Sequence, residues 1–95
     1  MKRTAPPSDR VERIRAVVQD ALRPVQLTIR DDSASHVGHA GGGGKGHFKV
    51  LVVSELFSGK SRLQRHRLVH EALASLLETD IHALVLTTKT PEEVS

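Results

Sequence analysis

The feature that most constrains the fold is a glycine- and histidine-rich stretch, residues 33–47, that separates two segments with the alternating pattern of β-strands. The stretch holds three of the chain's six histidines and six of its seven glycines. Its uninterrupted glycine run, residues 41–44, can adopt almost any backbone conformation, which predicts a loop rather than a helix or a strand. Loops that connect rigid elements often carry function, so we expect this stretch to present its histidines to a partner.

The segments on either side of this loop predict two strands. Residues 25–30 alternate apolar and polar side chains, which is typical of a strand with one buried face. Residues 47–54 give the strongest strand pattern, and we expect His47 and Lys49 to lie at a wet margin of it. The predicted core face of this second strand consists of Phe48, Val50 and Val52. Two strands joined by one loop pair most simply as an antiparallel hairpin.

A helix is predicted before the first strand. Asp9 has the character of an N-cap, and Glu12 stands in the capping-box position three residues later. Apolar residues then follow at helical spacing as far as residue 22, and Pro24 ends the helix. Residues 1–8 are polar and proline-containing, so we expect a loose N-terminal tail.

The chain after the second strand predicts two helices separated by a bend. Ser61 and Gln64 form a second capping-box pattern at the start of the helical region. The apolar phase is imperfect between Leu63 and Leu68. This mismatch predicts a short helix, a bend near residues 64–66 and then a long amphipathic helix.

Two further elements complete the chain: residues 81–88 predict a third strand, and residues 90–93 predict a short terminal turn of helix. The order α-β-β-α-α-β predicts an α+β fold in which helices cover one face of a three-stranded sheet. With 95 residues there is room for one domain. We place it at residues 9–88, followed by a C-terminal tail at residues 89–95.

The composition excludes several classes of site. The chain has no cysteine, which rules out disulfides, cysteine zinc fingers and any cluster held by its own thiolates. Metal chemistry must therefore use histidine or carboxylate, or borrow sulfur from another molecule. The net charge of +3 is mildly basic and does not by itself argue for nucleic acid. No apolar run could span a bilayer and no signal peptide is seen, so we expect a cytoplasmic protein with no membrane partner.

Catalytic motifs are not evident in the sequence. We find no Ser-His-Asp or paired-carboxylate arrangement. The run Gly59-Lys60-Ser61 has the form of the end of a Walker A loop, but the glycine required five residues before Gly59 is Ser54. We therefore expect that the protein is not an enzyme.

Five short motifs, occurring in the same order, resemble the BolA family. They are Ser33-x-x-His36-x-Gly38-His39, His47-Phe48-Lys49-Val50, Ser54-x-x-Phe57-x-Gly59-Lys60, Arg65-His66-Arg67 and Ile81-His82-Ala83-Leu84. The resemblance as a whole extends over about residues 9–88. The resemblance implies a fold similar to the class II KH domain. It also implies two kinds of function, which are pairing with a monothiol glutaredoxin over a 2Fe-2S cluster and transcriptional regulation through DNA binding.

The resemblance also supplies candidate metal ligands. In cluster-binding members one ligand is a histidine just after the long helix and the other is at the hairpin loop, which correspond here to His82 and His47. The glutaredoxin would supply its thiolate and glutathione to the other iron. His36 and His39 are candidate accessory ligands, or one of them replaces His47, although a role in hydrogen bonding within the loop is the simpler explanation. Alone, the chain is expected to be a monomer or a weak homodimer.

Histidine ligands would have definite chemical consequences. Neutral imidazole raises the reduction potential of a cluster relative to thiolate, and its titration near neutrality makes the ligation labile in mild acid. From spacing alone, six scattered histidines are more often surface or hydrogen-bonded residues. A zinc site made of His36, His39 and His47 is another interpretation, but the glycine run gives it no preorganisation.

The alternative function depends on a basic segment at the predicted bend and the start of the main helix. It contains Lys60, Arg62, Arg65, His66, Arg67 and His70. A helix-bend-helix with such a basic stripe resembles a helix-turn-helix, whose second helix enters the major groove of double-stranded DNA. Phosphate contacts alone would give salt-sensitive binding with little sequence preference. A solvated helix face is the simpler explanation of the same charges.

Overall fold

The structure of the chain is a computed structural model, and it describes residues 7–32 and 46–94. The elements are α1 (Pro7–Leu22), β1 (Gln26–Asp31), β2 (Gly46–Val53), a 3₁₀ turn (Glu55–Phe57), α2 (Arg62–Ala72), α3 (Ala74–Thr79), β3 (Ile81–Lys89) and α4 (Pro91–Val94). This order confirms the predicted α-β-β-α-α-β arrangement and the short helix that follows it.

The three strands form one sheet in the order β1-β2-β3. Strands β1 and β2 are antiparallel, with Leu27 opposite Val52, as expected for a hairpin. Strand β3 lies parallel to β2 on its other side, with Leu86 opposite Val50. Parallel strands need a crossover connection, which α2 and α3 supply.

The helices cover one face of this sheet, as predicted. The core consists of Ile14, Val18, Leu22, Phe48, Val50, Val52, Phe57, Val69, Leu73 and Ile81. Each large apolar side chain buried in this way stabilises the fold by about 1.5–3 kcal/mol relative to exposure. On the opposite face Thr28, Leu51 and Thr87 stand in one row across the three strands. The described helices leave this second face uncovered, and Thr28 and Thr87 are exposed on it.

Two local signals in the sequence determine where α2 begins. Gly59 has a φ of +77°, a left-handed conformation that glycine adopts without strain. The Ser61 hydroxyl accepts a hydrogen bond from the Gln64 N–H, and the Gln64 side chain accepts one from the Ser61 N–H. The predicted capping box is therefore present, and a tight turn at Gly59 precedes it.

The predicted bend near residues 64–66 is wrong. Helix α2 runs unbroken through them, and the two helices part at Leu73, which is fully buried in the core. The apparent break in phase disappears because Leu63 is 61% exposed, so that Leu68 and Val69, and not Leu63, supply the apolar contacts of this part of α2 with the core. The basic segment therefore lies on one continuous helix, except for Lys60, which precedes the helix by two residues. It does not extend across a helix-bend-helix.

Helix α1 also begins earlier than predicted. It starts at Pro7, so the predicted N-cap Asp9 lies within the helix. Proline is tolerated in the first helical turn because its missing N–H would have no helical partner there.

None of the helices within the described ranges is both long enough and apolar enough to cross a bilayer. A cytoplasmic location stays a prediction.

Candidate metal centre

Two histidines from different strands lie side by side at one end of the sheet. His47 is the second residue of β2 and His82 the second residue of β3, and because these strands are parallel both begin at the same end. The ring centroids are 5.1 Å apart and the rings meet edge to face at 61°. His82 is exposed and His47 is half-buried, so solvent reaches the pair. The structure thus brings together the two residues predicted as ligands.

A β-bulge accompanies this proximity. Gly46 pairs with Ile81 and His47 pairs with Ala83, which leaves His82 as an extra residue in β3. Bulges are frequent next to functional sites because they re-aim a side chain that regular pairing would direct elsewhere. His82 is the residue re-aimed here.

The packing of β3 explains the bulge. Ile81 is 2% exposed and Leu84 also packs against the core, although the two residues are three positions apart. Strict alternation along a strand would place them on opposite faces of the sheet. One extra residue returns both side chains to the core face, so core packing itself moves His82 out of the regular register.

Backbone hydrogen bonds fix the chain around both histidines. The His47 carbonyl accepts the Asp32 N–H at 2.8 Å, which continues the pairing of β1 with β2 beyond the end of β1. The Gly46 N–H donates to the Asp80 carbonyl at 2.9 Å. The segments that lead into the two histidines are therefore bonded to each other.

Asp80 is a buried carboxylate two residues before His82. The residue is 8% exposed; it accepts a hydrogen bond from Thr79 Oγ1 at 2.5 Å and another from the Arg13 guanidinium, and Arg10 Nε lies 3.8 Å from it. Burial by itself raises the pKa of Asp80, but the hydrogen bonds from Thr79 and Arg13 and the charges of Arg13 and Arg10 outweigh it and hold the pKa below its ordinary value. Asp80 is therefore ionised at neutral pH and ties α1 to the junction of α3 and β3.

A second carboxylate lies on the β1 side of His47. Asp32 Oδ1 is 3.0 Å from Arg30 Nε, and Asp32 Oδ2 is 3.8 Å from Lys49 Nζ. Arg30 and Lys49 are exposed on the face of the sheet that carries no helices. These three residues form a small ion-pair network beside His47.

The predicted accessory ligands His36 and His39 lie outside the described residues. Within residues 7–32 and 46–94, no group of three or more histidine, aspartate or glutamate side chains is placed to hold a metal ion. What this part of the chain contributes is a pair of imidazole donors.

Arg65 differs from the rest of the basic segment. Its guanidinium donates to the Glu93 carboxylate at 2.8 and 3.2 Å, its Nε donates to the Lys60 carbonyl at 3.0 Å, and its charged carbon lies 6.0 Å from the centroid of the Phe57 ring. The Arg65 side chain is only 13% exposed. Bidentate pairing with a carboxylate holds a guanidinium in one plane, so Arg65 joins α2 to α4.

The other basic side chains line two separate depressions. Arg62 and His66 line a cleft of about 260 Å³ between α2 and β3. Its other lining residues are Leu86, Thr87, Thr88 and Lys89. Lys60 and Arg67 line a more open hollow together with Glu71. His70 is exposed on the same helix.

The cleft between α2 and β3 has a distinctive charge. Burial lowers the pKa of His66 from 6.5, and the neighbouring charges of His70 and Arg62 lower it further, so His66 is neutral at physiological pH. The cleft is lined by two cations, Arg62 and Lys89, and by no carboxylate of the described residues. It therefore offers two positive charges and several hydrogen-bond donors.

Sequence reasoning missed the roles of Asp80 and Glu93. For Glu93 a local signal existed, because it follows Thr90 at capping-box spacing and its carboxylate accepts the Thr90 N–H at 2.9 Å. For Asp80 no local sequence signal existed, because its partners Arg10 and Arg13 lie on α1, near the other end of the chain.

Comparisons with known proteins establish the family. A model of the BolA family, described as BolA-like protein, matches residues 18–93. The chain is 49% identical over 80 residues to BolA-like protein 1 of Mus musculus, an alignment that covers 84% of this chain and 57% of that protein. It is 42% identical over 82 residues to the DNA-binding transcriptional regulator BolA of Escherichia coli, covering 86% of this chain and 76% of that protein. The chain belongs to the BolA family.

A solved structure agrees with this conclusion. The BolA domain of SufE1 from Arabidopsis thaliana superposes with a TM-score of 0.76 at 41% identity, covering 86% of this chain and 92% of that one. The resemblance inferred from the five motifs and the predicted α+β fold are both confirmed. The chain spans little more than half the length of the curated mouse relative, 57% of it.

Proposed function

We propose that this BolA-family chain is an accessory protein that pairs with a monothiol glutaredoxin and holds one iron of a shared 2Fe-2S cluster through His47 and His82. Such a protein would act in iron-sulfur trafficking or in iron and redox regulation. The observation that carries the proposal is the 5.1 Å separation of the two imidazole rings at an accessible end of the sheet.

The donor set of this chain fits one iron of such a cluster. Each iron is bound by bridging sulfides and needs two more ligands, and a histidine pair supplies them at one iron of Rieske centres. Two imidazoles that bind one tetrahedral metal at about 2.1 Å have ring centroids about 5 Å apart. The chain has no cysteine, so the thiolate and the glutathione for the other iron would come from the glutaredoxin.

The chain's own residues would determine how the cluster behaves. When bound, the cluster supplies one-electron redox chemistry and a releasable store of iron and sulfide. Imidazole ligation raises its reduction potential relative to thiolate ligation. An imidazole binds a metal only in its neutral form, so histidine ligation makes such a complex sensitive to mild acid.

Anaerobic assembly with a monothiol glutaredoxin and glutathione tests this function. We expect the wild-type mixture to contain iron and sulfide in the ratio of a 2Fe-2S cluster. His82→Ala should abolish the visible absorption of the complex, because it removes one of the two ligands of an iron, and His47→Ala should do the same. His70→Ala is the control, since it changes an exposed histidine of α2 outside the pair. An unchanged spectrum and affinity in His82→Ala would reject the proposal.

DNA binding is a second candidate function, and the cleft between α2 and β3 favours it. Arg62 and Lys89 supply cations there, and His66 and Thr87 supply hydrogen-bond donors. Phosphate oxygens of DNA are bound by side chains of these types. One relative of this chain is named a DNA-binding transcriptional regulator, which supports the same candidate.

A gel shift with double-stranded DNA at several salt concentrations tests the second function. Arg62→Ala and Lys89→Ala should each weaken binding about equally for all sequences and reduce its salt dependence, as expected when a phosphate contact is lost. Arg65→Ala should leave the affinity nearly unchanged, because Glu93 already binds its guanidinium. Affinity that is insensitive to Arg62→Ala would remove the cleft from consideration.

A further inference from the structure

We infer that Asp80 is a positioning residue for His47 and His82, so that helix α1 is part of the metal centre although it contributes no ligand. The inference rests on the proposed function, because it concerns the geometry of the ligands assigned there. Asp80 precedes His82 by two residues, and its backbone binds Gly46, the residue before His47. One residue is therefore connected to both histidines.

The backbone of Asp80 links the beginnings of β2 and β3. Its carbonyl accepts the Gly46 N–H at 2.9 Å, and its own N–H donates to the Leu76 carbonyl of α3 at 2.7 Å. A rotation of the peptide that follows Asp80 would displace Gly46 on one strand and Ile81 on the other. Both displacements would be passed on to the next residue along each strand, which is a histidine.

The side chain of Asp80 holds that backbone against α1. Its carboxylate is bound by the Arg13 guanidinium and by Thr79 Oγ1, and Arg10 Nε lies 3.8 Å away. The Asp80 side chain is 12% exposed, whereas that of Arg13 is 40% exposed. Charge-assisted hydrogen bonds to a buried carboxylate restrict its orientation more than neutral ones do. The carboxylate thus joins α1, α3 and β3 at a single point.

The bulge explains why the histidine pair needs this support. As the extra residue of β3, His82 has no partner in the ladder, so strand pairing alone does not fix its position. On its C-terminal side, Ala83 is held by pairing with His47. On its N-terminal side the chain is held by the buried Ile81 and, immediately before it, by Asp80.

The two arginines of this network lie before the segment that matches the family model. The family match begins at residue 18, whereas Arg10 and Arg13 lie in the first half of α1. The support for the histidines therefore uses two arginines that lie before the matched segment.

The first arm of the test uses the chain without a cluster. Nuclear Overhauser effects between the His47 and His82 rings report their contact directly. Asp80→Asn should weaken these Overhauser effects because it removes the charge that Arg13 binds. The chain should remain folded because the amide has the same size as the carboxylate. Arg13→Gln should also weaken these Overhauser effects. The double variant should weaken them no further than either single variant, because each of the three variants removes the same Arg13–Asp80 ion pair. Arg13→Lys keeps the charge and should preserve most of the contact.

The second arm measures how tightly the complex with a monothiol glutaredoxin retains the cluster. Asp80→Asn and Arg13→Gln should each weaken retention about tenfold, the lower end of the range for residues that orient metal ligands. Both should also shift the electron paramagnetic resonance signal of the reduced cluster. Glu93→Gln is the matched control, since it removes an arginine-bound carboxylate just beyond the other end of β3. It should leave the ring contact and the retention unchanged.

The outcomes separate this inference from the proposed function. Wild-type ring contacts and retention in both Asp80→Asn and Arg13→Gln would overturn it. If Asp80→Asn fails to fold, Arg13→Gln decides, because that side chain is 40% exposed. If the wild-type chain takes up no cluster with the glutaredoxin, the proposed function fails, and the ring contacts still decide whether Asp80 positions the pair.

Discussion

The two ends of strand β3 use the same type of ion pair for different purposes. Just before β3 begins, Arg13 of α1 binds the carboxylate of Asp80, which lies two residues before His82. Just after β3 ends, Arg65 of α2 binds the carboxylate of Glu93 in α4. We call these the histidine end (residues 80–82) and the α4 end (residues 89–93).

The partner that is buried differs between the two ends. At the histidine end it is the carboxylate, with Asp80 12% and Arg13 40% exposed. At the α4 end it is the guanidinium, with Arg65 13% and Glu93 42% exposed. A buried carboxylate beside an irregular strand fixes a backbone position, whereas a buried guanidinium above Phe57 extends the core to hold a surface helix. The same kind of contact therefore fixes a backbone position at one end of β3 and holds a surface helix at the other.

The largest expected effect separates the stability of the fold from the geometry of the site. Phe57 is fully buried, and Arg65 lies over its ring. Phe57→Ala should therefore lower the free energy of unfolding by about 3–5 kcal/mol, measured by urea denaturation. Because Phe57 supports the α4 end, the contact between the His47 and His82 rings should persist in the folded variant. Loss of that contact would show that the histidine end and the α4 end are structurally coupled, contrary to this prediction.

Most of the fold could be predicted because its signals are local. The capping box of Ser61 and Gln64 and the left-handed turn at Gly59 involve residues next to each other in the chain, and both are present. The bend was misplaced because helical phase cannot reveal that Leu63 is exposed, a fact that depends on how α2 packs. The actual bend at Leu73 follows from core packing on both sides of it.

The two histidines of the candidate site could be predicted from the sequence, but the ion pair that we infer positions them could not. Motif resemblance singled out His47 and His82, whereas the parallel pairing and the bulge that bring their rings together arise only when β3 packs beside β2. The ion pair of Arg13 with Asp80 joins two residues far apart in sequence. No short pattern can contain such a pair, because its two members meet only after the helices have packed.

A smaller effect, in acid, sharpens the description of the α4 end. Hydrogen bonds from Arg65 and from the Thr90 N–H lower the pKa of Glu93 from 4.5 to about 2. Because the folded value lies below the unfolded value, the stabilisation is fully present above about pH 5 and is lost as the pH falls through about 2. Urea denaturation should show a constant difference between wild type and Glu93→Gln from about pH 7 to 5, which then shrinks toward pH 2.

Glu78→Gln is the matched control for this measurement, since Glu78 is an exposed carboxylate of α3. It should not reproduce the change with pH. A difference between wild type and Glu93→Gln that stays constant down to about pH 2 would mean that Arg65 does not hold Glu93 in solution. The α4 end would then lack the ion pair on which its likeness to the histidine end depends.

The smallest expected effect concerns His66, which lines the cleft beside Lys89 at the α4 end. Burial lowers the pKa of His66 from 6.5, and the charges of His70 and Arg62 lower it further. The unfolded chain therefore binds a proton here more readily than the folded chain, so stability declines as the pH falls below about 6.5. His66→Gln should remove this part of the decline between about pH 7 and 5, and His70→Gln should reduce it. An equal decline in wild type and His66→Gln would leave Glu93 as the source of acid sensitivity at this end.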